Sequence, residues 1–486
     1  MKVSIIGSGV SGICAAIRLK SQGCDVEVFE KNKLPGGKLN TFKLDGFRFD
    51  AGPSLFTMPS LVDELFELFD LNPRHYFNYK KKEIHCKYFW NDKTQFTAFS
   101  DNKRFLKEVK KKFHVDESVV NKYLKKAKIK FDLTEKIFLK KSLHKFSSFL
   151  NIETIKALFH LNIFQINRTL HEVNSDELKN KYLIQIFDRY ATYNGSSPYK
   201  TPGMMTLIQH LENHFGTFIP EGGMYEITKA LFNLAKQVGV KFHFECNVDE
   251  IILENSIAKK IRVNNKLIES DVVVSNVDVN FTYSHLLKQK FKHRSLKNES
   301  SSSALIFYWG IKGTYDELDL HNIFFSSNYK EEFNSIFEKK KIFHDPTVYV
   351  NISCKDVSED APKNFENWFV MINSPYNINQ NWDKQIQKTR NNIIQKLEKI
   401  LGVAVGKNIV KEKIYSPIDL ERNTNSNNGS LYGSSSNSIM SSFMRHPNFT
   451  RKIKNLFFCG GSVHPGGGIP LAILSSKILS DLIESK

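Results

Sequence analysis

Near the start of the chain an apolar run, Val3-Ser4-Ile5-Ile6, ends in Gly7-Ser8-Gly9-Val10-Ser11-Gly12. A carboxylate, Glu30, follows a second apolar run, Val26-Glu27-Val28-Phe29. Strand, G-x-G-x-x-G, helix, strand and acid, in that order, suit a ligand that carries a pyrophosphate. Gly9 lets the backbone approach the phosphates, Gly12 lets the helix pack close to the strand, and N–H groups at the helix start face the anion. Glu30 can accept hydrogen bonds from a ribose diol, and its charge disfavours a 2′-phosphate. Redox chemistry is the leading expectation, with FAD and NAD both open at this point.

The next residues favour FAD. Leu34-Pro35-Gly36-Gly37-Lys38 places two glycines and a cation where a loop can lie over a pyrophosphate, and Asp50-Ala51-Gly52-Pro53 offers another close backbone approach. At the far end, Leu456-Phe457-Phe458-Cys459-Gly460-Gly461 reads as a buried strand ending in glycines. His464-Pro465-Gly466-Gly467-Gly468-Ile469-Pro470 follows and leads into an apolar helix from about Leu471 to Leu479. Glycines before a helix again suggest backbone apposed to a cofactor, and the helix dipole favours negative charge there.

Elements that could hold these residues alternate along the chain. With 486 residues the chain is large enough for two or more interwoven domains. An apolar share of 41% and an aromatic share of 12% fit a folded enzyme, and 39 Phe are enough to line a long apolar channel. The expected fold class is α/β, a Rossmann-like FAD-binding domain interwoven with a mixed-sheet and helical substrate domain. The expected segments are 1–60, 216–280 and 416–486 for the cofactor, with 61–215 and 281–415 for the substrate. Strands are predicted at 84–90, 94–99, 240–244, 248–252, 261–263, 271–277, 304–309, 347–352 and 368–372. A helix is predicted over about 382–400, and Asn- and Ser-rich 422–438 reads as a loop.

The net charge of +18 is concentrated in part in residues 101–145, with 15 Lys/Arg against six Asp/Glu. Ile129, Leu133, Ile137 and Lys141 share a helical stripe there, and a second apolar run extends from Phe149 to Ile166. A basic amphipathic surface beside apolar helices points to a peripheral contact with anionic membrane lipid, on the cytoplasmic side. No apolar run reaches transmembrane length, and no secretory signal precedes the first strand. Neither a zinc-finger spacing nor a basic–aromatic array marks nucleic acid as a partner. The six Cys show no metal-ligand spacing, and no metal is expected.

Seven linked segments together resemble the bacterial carotenoid-desaturase family, of the phytoene-desaturase type. They are GSGVSG at 7–12, KLPGGKLNTF at 33–42, FDAGPS at 49–54, DRYATYNGSSPY at 188–199, PEGGMYEITKAL at 220–231, SDVVVSNVDV at 270–279 and CGGSVHPGGGIPLAILSSKIL at 459–479. The tail looks most like the branch that introduces a 3,4 double bond into an acyclic carotenoid end, often a 1-hydroxylated one. The family usually carries Arg where Lys38 stands, and the broader superfamily often has Asp where Ser462 stands.

The resemblance implies FAD and a long apolar carotenoid, which loses a hydride to the flavin and a proton to the protein. Oxygen, a quinone or another acceptor then takes the electrons. Gly7, Gly9, Gly12, Glu30, Gly36, Gly37 and Lys38 form the first cofactor set. Gly52, Gly460, Gly461, Gly467 and Gly468 extend it, with Val248 on the adenine side. Asp188 is a candidate proton acceptor, Arg189 a candidate to orient a polar substrate end, and His464 a candidate acid or base. Asp188 and Arg189 alternatively form a buried ion pair, and His464 alternatively holds its turn. Tyr190, Tyr193 and Tyr199 are candidates for the channel wall. Phytoene desaturase, an amine-oxidizing flavoprotein and a noncatalytic prenyl-protein carrier are the competing readings.

Overall fold

The computed structural model describes residues 1–139, 141–142, 144, 161–288, 291 and 293–484. Five parallel strands form one sheet in the order Leu456–Phe458, Val272–Ser275, Lys2–Ile6, Asp25–Phe29, Lys241–His243. Three distant stretches of chain supply them. The inner strands Lys2–Ile6 and Val272–Ser275 are apolar runs buried on both faces, as parallel strands require. Helix Val10–Ser21 and the terminal helix Ile469–Glu484 pack on one face, joining Ile13, Ile17, Ile473 and Ile478 in one core with Leu65 and Leu231. A three-stranded antiparallel sheet, Val248–Glu254, Ile257–Val263 and Lys266–Glu269, abuts the other face through Ile251 and Ile261.

A second sheet has seven strands, in the order Ile409–Tyr415, Ser303–Lys312, Phe365–Ser374, Val348–Ile352, His321–Phe324, Ile84–Phe89, Gln95–Phe99. Every neighbour pair is antiparallel except His321–Phe324 with Ile84–Phe89. Period-two alternation sorts its long central strand. Leu305, Phe307, Trp309 and Ile311 pack with Ile393 and Leu397 of helix Trp382–Leu401. Ala304, Ile306 and Tyr308 turn to the opposite face, beside Phe47 and Phe49.

Helices Asn102–Phe113, Glu117–Thr134, Leu170–Leu178 and Lys181–Asp188 form the remaining layer. Asp101, Asp116, Thr169 and Asn180 cap them through side-chain acceptors, which satisfies free N–H groups at each start. Ile129, on the stripe expected at the surface, faces outward from its helix. Glu117–Thr134 buries Val120, Tyr123, Ala127, Lys130 and Phe131, while Ile129 is 44% exposed. Lys130 goes inward because its ammonium finds Gln165 Oε1, Thr206 Oγ1 and the Gly203 carbonyl. The apolar run from Phe149 lies outside the described residues except for its last part, where Leu161–Phe164 is helical.

The other predicted strands and the 382–400 helix appear within a few residues of their expected limits. The 422–438 stretch is a loop, as expected, apart from its start in helix Pro417–Thr424 and a short turn at Asn427–Gly429, and Ser430, Ser435 and Ser436 are buried in it. Contacts with residues far away in sequence bury it, such as Ser436 N to Ser196 Oγ at 2.7 Å. Among the described residues, no helix is long and apolar enough to cross a membrane.

Candidate active site

One cavity of about 830 Å³ runs between the two sheets. At one end its wall is backbone. Gly7 takes φ +96°, and its N–H donates to the Phe29 carbonyl at 2.8 Å, which turns the chain from strand into helix. The Gly36 N–H donates to the Ser8 carbonyl at 2.8 Å, laying the second glycine loop on the first. A Cβ on Gly12 would meet the Gly7 oxygen at 2.3 Å, and one on Gly52 would meet the Lys38 oxygen at 1.7 Å. Asn276 Nδ2 ties the turn by donating to the Gly7 carbonyl at 3.3 Å.

Glu30 is buried and borders the cavity. Its Oε2 accepts from the Ser8 N–H at 2.8 Å and from Ser8 Oγ at 2.9 Å. Its Oε1 accepts from the N–H and amide of Asn32, both at 2.9 Å. The carboxylate is thereby held beside the glycine turn. Val248 borders the same end. Lys38 donates to the carbonyls of Leu431 at 2.7 Å and Ser430 at 3.2 Å. Burial pulls its pKa down to about 8, opposed by the charge of Asp278.

The tail closes this end. Gly460, Gly461, Gly467 and Gly468 all border the cavity. A Cβ on Gly467 would strike the Tyr432 ring at 2.2 Å. Ser462 Oγ accepts from the Val279 N–H at 3.0 Å, fixing the tail to the segment after Val272–Ser275. Arg445 is buried and donates to the carbonyls of Tyr432, Ser434 and Gly461. His464 Nε2 donates to the Lys141 carbonyl at 3.0 Å. Burial lowers the His464 pKa to about 4, so the ring is neutral at pH 7.

The other end is made of side chains. Phe131, Met204, Ile208 and Leu211 line one wall, and Ile306, Phe369 and Met371 of the seven-stranded sheet line the opposite wall. A polar patch interrupts them. Arg189 Nη2 donates to Glu212 Oε2 and to the Tyr88 hydroxyl, both at 3.0 Å, while Nη1 donates to the Tyr193 hydroxyl at 3.0 Å. The Tyr193 hydroxyl donates to the same Glu212 oxygen at 2.9 Å. Although burial acts the other way, the Arg189 charge holds the Glu212 carboxyl below its ordinary range.

Arg189, Tyr193 and His464 border the cavity, whereas Asp188, Tyr190 and Tyr199 do not. Asp188 faces helix Leu170–Leu178, accepting from His171 Nδ1 at 2.6 Å and Asn174 Nδ2 at 2.8 Å. Burial raises its pKa. Tyr190 stacks under the Arg189 guanidinium at 4.6 Å, and Tyr199 packs on the His171 ring at 4.5 Å. Sequence reasoning missed Glu212, Arg445, Asn276, His85 and His321. Asn276 lay inside the quoted SDVVVSNVDV segment, but the others carry no local signal. Among the described residues, no group of three or more His, Cys, Asp or Glu is placed to hold a metal.

Paired glycine loops that no Cβ could enter, a fixed carboxylate beside the first turn and a buried cation at the second fit FAD. Residues 10–317 match the family described as flavin containing amine oxidoreductase, and the chain belongs to it. It is a flavin-dependent oxidoreductase with FAD as its cofactor. It is 48% identical over 483 residues to the 1-hydroxycarotenoid 3,4-desaturase of Flavobacterium sp. (strain P99-3), covering 99% of each chain. It is 30% identical to the 4,4'-diapolycopene oxygenase of Methylomonas sp, over 99% of this chain and 98% of the relative. Among solved structures, an oxidoreductase from Methanosarcina mazei aligns with a TM-score of 0.63 at 16% identity, covering 100% of both chains. Putrescine oxidase bound to putrescine aligns with a TM-score of 0.65 at 12% identity, also covering 100% of both. These structural likenesses establish the fold.

Proposed function

We propose that this chain is an FAD-dependent carotenoid desaturase that introduces a 3,4 double bond at the 1-hydroxylated end of an acyclic carotenoid. The observation that carries this reading is the single cavity joining the glycine cradle to two apolar walls. A rigid polyene needs such a slot, and the full-length likeness to a 1-hydroxycarotenoid 3,4-desaturase supports the bond assigned. Bound FAD supplies the acceptor for the hydride taken from carbon. The chain's own part is geometric: Gly52 and Gly467 let the loops that border the cofactor end pack on Lys38 and Tyr432, while the apolar walls orient the polyene and exclude water. Neutral His464 holds the tail turn. Asp188 positions His171 and the helix that carries it, since its carboxylate does not border the cavity.

Reoxidation by oxygen, a quinone or another acceptor completes the cycle. We further read the exposed lysines of helix Asn102–Phe113 as a contact with anionic lipid, from which so apolar a substrate is drawn. Segments 1–60, 216–280 and 416–486 are assigned to the cofactor domain, and 61–215 and 281–415 to the substrate domain.

The test is anaerobic reconstitution with FAD and a panel of 1-hydroxylated carotenoid, phytoene and amines, followed by product mass and double-bond mapping. The expected result is loss of two hydrogens at C3–C4 of the hydroxylated end. Stepwise conversion of phytoene alone, or an amine-derived carbonyl with no new unsaturation, would overturn it. Prenyl-chain binding by a protein that takes up no flavin would identify a carrier instead.

A further inference from the structure

Two histidines border the cavity beside the Arg189–Glu212 pair, and the chemistry above uses neither. His85 and His321 are each 3% exposed. They sit at the starts of the paired parallel strands Ile84–Phe89 and His321–Phe324. A register shift between Ile84 and Cys86 breaks the alternation of the first strand, so consecutive His85 and Cys86 both border the cavity. Such a bulge re-aims a side chain.

One nitrogen of each ring is engaged. His85 Nδ1 meets Thr217 Oγ1 at 2.9 Å, and His321 Nδ1 meets the Tyr349 hydroxyl at 2.7 Å. The amide of Asn351 also donates to His321 Nδ1 at 3.3 Å. That contact makes Nδ1 the acceptor and leaves the proton on Nε2. Among the described residues, Nε2 of both rings is buried with no hydrogen-bond partner. Buried polar atoms in native proteins almost always find one, and going without carries a substantial cost. Burial keeps both rings neutral, His321 at about 4. Neutral rings offer single, directed hydrogen bonds, suited to an uncharged oxygen.

The patch also adjoins the cofactor end. The Tyr349 hydroxyl that holds His321 bonds Ser54 Oγ at 2.8 Å, two residues from Gly52. In a 1-hydroxylated end the oxygen is only three bonds from C3, so whatever binds it must lie near the reacting bond.

We propose that His85 and His321 form the recognition site for the substrate's terminal hydroxyl group, with His321 Nε2–H donating to its oxygen and His85 Nε2 engaging the same group. This rests on the desaturase reading above. A purely hydrocarbon end would leave both nitrogens unpaired, so the pocket selects for the hydroxyl as well as accommodating it. Sites that hydrogen-bond a substrate hydroxyl reject analogues lacking it far more strongly than apolar pockets reject an added one.

The experiment compares a 1-hydroxylated acyclic carotenoid with its matched analogue carrying hydrogen in place of the hydroxyl. Wild type, His321→Phe, His321→Gln and His85→Phe are checked for equal flavin content. Equilibrium binding is followed by the polyene absorption shift, and kcat/KM by product formation. His321→Phe should lose about 10- to 100-fold on the hydroxylated substrate and less than about 3-fold on the analogue. His321→Gln, which keeps an N–H near the Nε2 position, should recover most of the loss. Equal losses on both substrates, or no preference of the wild type for the hydroxylated polyene in binding, would overturn the proposal. Wild-type preference in binding without desaturation of either compound would leave this site standing and defeat the desaturase reading instead.

Discussion

The two ends of the cavity are built by opposite means. At the cofactor end the wall is backbone, and what matters is the absence of side chains: a Cβ on Gly12 or Gly52 would lie 2.3 Å or 1.7 Å from a carbonyl oxygen. At the substrate end the wall is side chains, and what matters is how they satisfy one another. Arg189, Glu212, Tyr88 and Tyr193 share one set of hydrogen bonds, with His85 and His321 beside them. The first end leaves no room for a side chain at Gly12, Gly52 or Gly467. The second depends on charge pairing between Arg189 and Glu212. A cradle for a constant ligand can be written into short loops, whereas a pocket that selects one substrate end draws on strands and helices far apart in the chain.

The largest effect should come from adding bulk to the cradle. Gly12→Val is expected to cut flavin bound per chain by about tenfold or more, read from the flavin absorbance of purified protein, because the helix can no longer close on the strand. Retention of full flavin content would break the contrast at its strongest point.

Removing charge from the other end should chiefly affect stability. Arg189→Met leaves Glu212 buried without its cation and should cost about 3–5 kcal/mol in urea unfolding. The double variant Arg189→Met/Glu212→Met should recover most of that loss. A double variant as unstable as the single one would show that the pair is not coupled.

Lys38 is the cation of the cradle, and its role depends on its charge. Burial holds its pKa near 8 in the free protein. A diphosphate favours the ammonium form, so binding takes up a proton once free Lys38 is neutral. FAD affinity should therefore be level below pH 8 and fall above it, approaching about tenfold per pH unit. Titrations at several pH values should show this slope in wild type and lose it in Lys38→Met. A flat wild-type profile would remove Lys38 from the pyrophosphate site.

The smallest effect belongs to a surface outside both ends. Reversing Lys103, Lys107 and Lys110 to Glu should weaken sedimentation with anionic vesicles by about 1 kcal/mol per residue at low salt. Flavin content should not change. Vesicle binding that ignores both the substitutions and salt would move the lipid contact elsewhere.

Much of the cofactor end was readable because its elements are local. A turn glycine, an acid after the next strand and a glycine pair before a helix announce themselves over short stretches. The long buried strands Ser303–Lys312 and Phe365–Ser374 were likewise evident from apolar runs. In helix Glu117–Thr134 the inward turn of Lys130 could not be read from hydrophobicity. Lys130 is buried by partners at 165, 203 and 206, which no local pattern reveals. The polar stretch 422–438 read as a loop, but its burial follows from contacts with Ser196, Ser197 and the cofactor-end tail.

The sequence by itself determined the glycine turn between the first strand and helix, because a backbone that must approach a phosphate needs glycine at set intervals along one stretch. It also determined the alternation of apolar strands and helices around that turn. Only the tertiary structure decided which polar groups meet in the cavity. Asp188 and Arg189 are neighbours in the chain, yet the helix end sends one carboxylate to His171 and the adjacent guanidinium to Glu212. Pairing of two strands more than two hundred residues apart brings the strand starts that carry His85 and His321 to the same cavity. Hydrogen-bond complementarity depends on distance and direction in space, and those are set by packing rather than by order along the chain.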